Sequence, residues 1–166
     1  MKKIKTIAAA LALMTTCAVS NAYAAGNIDG MFGYKIGADF DSKGAPKALP
    51  DDSLGYLYQI NPEKKDQLAY VDKYYVFTTP TSHKISGFMA IKDYKDVMEC
   101  QQSREKLFSS IKDTYGQNQL NEPAGMIKDK DNPERGIKIE CSDNRLIFIT
   151  LDTALIDQGV KEKAKL

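Results

Sequence analysis

Apolar residues recur every second position along several stretches of this chain and every third or fourth along one. That contrast lays out its elements. Phe32, Tyr34 and Ile36 alternate with Gly33 and Lys35, which predicts a strand from Met31 to Ile36. A second strand is expected from Gly55 to Ile60, with Tyr56, Tyr58 and Ile60 on one side and Asn61-Pro62 as the stop. Two longer strands follow, Ala69 to Thr78 and Lys84 to Ile91. In the first, Val71, Tyr75 and Phe77 alternate with Tyr70, Tyr74 and Val76; in the second, Ile85, Met89 and Ile91 alternate with Ser86, Phe88 and Ala90. The polar run Thr79 to His83 joins them as a hairpin.

From Asp96 to Gly116 the period changes. Val97, Cys100, Arg104, Leu107, Phe108, Ile111 and Tyr115 fall at helical spacing, so one stripe of a helix carries the apolar residues and Cys100 with them. Asp96 with Glu99 three residues on has the form of a capping box, and Gly116 suits the left-handed position past the end. The period of two then returns. Ile137 to Cys141 and Arg145 to Leu151 flank Ser142-Asp143-Asn144, a hairpin signature. Leu146 to Ile149 is apolar on both faces, which predicts a place in the middle of the sheet. Asp152 caps a short closing helix through Ile156, and Lys161 to Leu166 reads as a charged tail. The stretches 38–54 and 117–136 are rich in Gly, Pro and charge, and are expected to be long polar loops.

The expected class is α+β: an antiparallel sheet of about five to six strands, from two N-terminal strands and two hairpins. One main helix packs on one face, with a short C-terminal helix beside it. Residues 25–166 make one such domain, a length that supports a usable core.

The first 24 residues change the charge and cysteine counts. Lys2, Lys3 and Lys5 precede an apolar stretch from Ile7 to Val19, and Ala22-Tyr23-Ala24 offers the small-x-small pattern of a cleavage site. This predicts a signal peptide cut after Ala24 and a protein of the bacterial periplasm, or secreted, with no stable membrane span. Lipidation at Cys17 is the alternative, disfavoured because Met14-Thr15-Thr16 lacks the small residue expected before it. Cleavage removes three lysines and no acids, so the net charge of +1 becomes −2. That balance gives no reason to expect a nucleic-acid partner. Cleavage also removes Cys17 and leaves Cys100 and Cys141, which are expected to form a disulfide.

Few residue sets resemble a reactive centre. His83, the single histidine, adjoins Ser82, but neighbours in a hairpin turn diverge rather than converge on a substrate. Asp129, Asp131, Asn132 and Glu134 suggest a calcium loop, yet Pro133 takes the third ligand position and Lys128 and Lys130 intrude. The pair Asp51-Asp52 reads as turn residues. Phosphate loops, dinucleotide fingerprints, GxSxG, HExxH and CxxC do not occur. No cofactor, metal site or catalytic residue is therefore predicted.

What remains is aromatic. Eight tyrosines follow the leader, and Tyr56, Tyr58, Tyr70 and Tyr74 are expected to share the sheet face opposite the helix as an interaction surface. The expected function is a non-enzymatic envelope protein that engages another protein through that face or its long loops. A small-ligand or glycan binder and a carboxylate-dependent hydrolase are the alternatives. In size, export and single disulfide the chain is similar to small exported lysozyme inhibitors and toxin-immunity proteins, a likeness of architecture that carries over no residue.

Overall fold

The two sequence periods become two layers. A computed structural model describes residues 27–45, 47–51, 55–115, 119–121 and 124–166. Within them run β1 (Gly30–Met31), β2 (Tyr34–Lys35), β3 (Lys47–Asp51), β4 (Gly55–Ile60), β5 (Lys73–Thr78) and β6 (Ile85–Asp93). These are followed by α1 (Val97–Tyr115), β7 (Gln119–Asn121), β8 (Met126–Lys128), β9 (Arg135–Ser142), β10 (Arg145–Asp152) and α2 (Thr153–Lys163). Strands β3 to β10 form one sheet in the order β3-β4-β5-β6-β10-β9-β8-β7, every pair antiparallel, and β1-β2 is a separate hairpin. The predicted leader lies outside the described residues, as do the Gly116 cap and Asp52.

The α+β class and the main helix stand as expected, and the sheet is wider. Parts of both expected loops pair as short strands: 47–51 on β4, and 119–121 and 126–128 beyond β9. Three-residue and proline-bearing strands give too little alternation to be seen in sequence. The expected strand Met31 to Ile36 is instead a tight hairpin. Phe32 and Gly33 both take positive φ, 56° and 84°, at its turn. The reversal inserts the Phe32 ring into the core, edge-on to Tyr74, Phe88 and Phe148. Burial of that ring offsets a left-handed backbone that an aromatic residue rarely adopts.

Helix α1 starts as its cap predicts, with Asp96 Oδ1 accepting the Glu99 N–H at 2.9 Å. It buries Cys100, Leu107, Phe108, Ile111 and Tyr115 against β9 and β10. Val97, expected on that stripe, is exposed in the first turn. Cys100 and Cys141 are bonded, with Cα atoms 6.1 Å apart, which joins the helix to β9. Closing a loop of 41 residues stabilises the fold by about 4 kcal/mol on the chain-entropy model.

The closing helix runs to Lys163, past the predicted end at Ile156, into what reads as a tail. Tertiary bonds hold the extra turns. Glu162 accepts the Thr81 and Ser82 N–H groups at 2.9 and 3.1 Å and the Ser82 hydroxyl at 2.6 Å. Asp152 caps the helix start through the Leu155 N–H and takes Arg135 Nε at 2.8 Å.

Candidate functional site: the open face of the sheet

Strand register sorts every sheet residue onto one of two faces. On the α1 side, Tyr58, Val76, Phe88 and Thr150 follow one another across β4, β5, β6 and β10, with Ile60, Tyr74, Ala90 and Phe148 as the next row. All eight are buried. The opposite face carries Gln59, Tyr75, Met89, Ile149, Lys138 and Met126 in one row, and Lys73, Ile91, Ile147 and Glu140 in the next.

Along this second face Tyr75, Met89, Ile91, Ile147, Ile149, Leu151 and Met126 are only half-buried. Those of β5, β6 and β10 form one apolar field, and Met126 of β8 lies beyond Lys138 of β9. Helix α2 passes β10, β6 and β4 near one end of the sheet. In the row at that end, Leu57 and Phe77 of the same face are buried at 5% and 4% exposure. Between Met126, Ile149 and Leu151 the face dips into a groove of about 510 Å³. Gly136 contributes no side chain there, and Lys128, Lys138 and Glu134 stand at its border.

Charges ring the field and pair with one another. Asp93 takes Arg145 Nε at 2.6 Å on one oxygen and Lys73 Nζ at 3.6 Å on the other, and Lys138 meets Glu140 at 2.6 Å. The Arg145 hydrogen bond, aided by Lys73, holds the Asp93 carboxyl below its ordinary pKa and raises that of Arg145 in return. An apolar centre inside a polar, solvated rim is the anatomy of a protein interface. Scattered single apolar residues need no such explanation; a contiguous field does.

The four predicted tyrosines are not on this face. Tyr58 and Tyr74 belong to the core, at 8% and 5% exposure. Burial pushes the Tyr74 phenol above its ordinary pKa, and its hydroxyl donates to the Leu68 carbonyl. Tyr56 shares their side of the sheet and is partly buried against the core. Tyr70 precedes β5 in a turn with φ of 70° and is exposed by itself. The strand begins at Lys73, three residues after Tyr70, so the expected alternation through Tyr70 has no strand to ride on. The sequence signal for the open face lay elsewhere, in the two-sided apolar run Leu146 to Ile149. It does mark a central strand, and its second side is the field itself.

The other sequence candidates are tied into the fold. Ser82 donates its hydroxyl to Glu162, and His83 is exposed at a φ of 51°. The buried Asp129 accepts Ile28 N–H on one oxygen and the Asp131 and Asn132 N–H groups on the other, so it anchors the described N-terminus and its own loop. A smaller cavity of about 130 Å³, floored by Phe32, Ile111 and Tyr115, lies below the usual size of a ligand site. No helix among the described residues is long and apolar enough to cross a membrane.

No protein-family model, no curated protein and no solved structure matches this chain.

Proposed function

We propose that this is a non-enzymatic binding protein of the bacterial envelope, exported by its first 24 residues, that engages another protein through the open face opposite α1. One observation carries the reading: the half-buried field of Tyr75, Met89, Ile91, Ile147, Ile149 and Leu151, with Lys73, Asp93, Arg145, Lys138 and Glu140 at its rim closed into ion pairs. The export signal and the disulfide support the compartment. Because Asp93 and Glu140 meet cations of this same chain, the partner needs no excess of either charge. The complementary surface is an apolar stripe, on a helix or a sheet, with polar margins of low net charge.

The role fits an inhibitor, an immunity protein or an accessory factor, whose work is to cover a surface rather than to turn over a substrate. A photo-crosslinking residue placed at Ile147 in the full chain tests it, with the same residue at Lys106 on the exposed side of α1 as control. A discrete adduct in envelope extract from position 147, absent from 106 and lost with Ile149→Glu, is expected. An adduct equally strong from both positions, or none from 147, overturns the reading.

A further inference from the structure

A second surface, away from the open field, carries different chemistry. Between the segment 39–45 and the end of β4 lies a cleft of about 460 Å³, within the size range of small-ligand sites. Tyr34 of β2 stands at its wall, 37% exposed. The ring has an aromatic neighbour. It leans on Phe40 at 6.0 Å between centroids, and Phe40 leans on the buried Tyr58 at 5.3 Å.

The polar groups lining the cleft are Asp39, Asp41, Lys43, Gln59 and Asn61. Asp41 is held by the turn it makes, accepting the Lys43 N–H at 3.0 Å, and Ala45 N–H closes the next turn on Ser42 at 3.1 Å. Asp39 pairs with Lys84 at 2.7 Å. The cleft is therefore lined by an aromatic ring, two carboxylates, one lysine and two primary amides, with Asp41 and Asp39 held by the contacts above.

We infer that this cleft binds a neutral oligosaccharide of two or three sugar rings. A pyranose presents an apolar C–H face and a rim of hydroxyls that each donate and accept. A tyrosine ring takes the face. Carboxylates and amides offer two polar atoms in one plane, which match adjacent hydroxyl pairs. The other ligand classes fit less well. A phosphorylated ligand calls for arginine forks or clustered lysines, and Lys43 is the one cation lining the cleft among the described residues. A purely apolar ligand would desolvate the Gln59 and Asn61 amides and the second Asp41 oxygen without replacing their hydrogen bonds to water. The inference does not depend on the apolar field of the open face; of the residues placed on that face, Gln59 alone also lines the cleft.

Chitotriose, cellotriose and maltotriose, each titrated into the isotopically labelled full chain, test it by NMR. At least one is expected to give saturable shifts at the Gln59 and Asn61 side-chain amides. Tyr34→Leu keeps apolar bulk but removes the flat ring, and should weaken that binding at least tenfold with the unfolding midpoint unchanged. Tyr34→Phe should retain it, and Asn61→Ala should weaken it. No shift with any of the three sugars overturns the inference, as does binding that survives in Tyr34→Leu or that maps to Ile147 and Ile149.

Discussion

One strand, β10, shows both faces of this protein at once. Leu146, Phe148 and Thr150 point toward α1 and are fully buried; Ile147, Ile149 and Leu151, between them, point the other way and are half-buried. The side chains are of the same kind, and only their cover differs. On the first face, α1 and the β1-β2 hairpin exclude water, and Phe32 meets Tyr74, Phe88 and Phe148 edge to face. On the second, α2 reaches only one end. Burial, not hydrophobicity, separates the core face from the open one, and a similar apolar composition serves either.

The sharpest test of that comparison is a pair of truncations one residue apart. Phe148→Ala should lower stability by about 3–5 kcal/mol, the cost of a large cavity in a closed core. Ile147→Ala should cost below about 1 kcal/mol, because water already reaches that position. Urea unfolding of both variants measures the difference. Similar costs would mean that the second face is covered in solution.

Reduction acts on the covered face alone. Breaking Cys100–Cys141 frees α1 from β9 and should cost about 2–4 kcal/mol. Denaturation with and without reductant reads this, and an unchanged midpoint would show that the helix needs no staple. The open face responds to charge instead. Ile147→Lys with Ile149→Lys should sharply reduce binding of a hydrophobic dye while the circular dichroism spectrum is retained. Dye binding at the parental level would place the accessible apolar surface elsewhere.

A smaller effect belongs to α2, the partial cover. Desolvation raises the pKa of Glu162, but hydrogen bonds from the Ser82 hydroxyl, Gln158 and the Ser82 and Thr81 N–H groups outweigh it and bring the value down to about 2. A depressed carboxyl stabilises the fold above its ordinary pKa near 4.5, and that contribution is lost as pH falls toward 2. Glu162→Gln should therefore cost on the order of 1 kcal/mol at pH 6, discounted for its exposure to solvent, and less at pH 2.5. Unfolding midpoints at the two pH values check the sign. The smallest effect is at the rim, where Arg145→Ala should leave the unfolding midpoint in place.

Much of the architecture was legible because it rests on local periodicity. The period of two put Tyr75 with Phe77 and Tyr74 with Val76, and the period near four buried Cys100 with Leu107 and Ile111. Asp96 and Asp152 capped the helices they were expected to cap. The misses share a cause. Tyr70 fell outside its strand, Phe32 turned inward through a left-handed backbone, and α2 ran on through Glu162, each because a partner distant in the chain outweighed the local pattern. The candidate site was misplaced for the same reason. Tyr58 and Tyr74 alternate as a surface row would, and no property of their own stretches says that Phe32 and Phe40 come to rest on them.

By itself, then, the sequence determined which residues share a face within the longer strands and the main helix, where the helices begin, which two cysteines would meet and that a second face of β10 would be apolar. Those follow from spacing, which backbone geometry converts directly into direction. Only the tertiary structure decided which face became core. That choice is made by where α1, the Phe32 turn and α2 settle, through contacts between residues far apart in the chain. Cover is a property of the assembled layers, and no stretch of the sequence carries it alone.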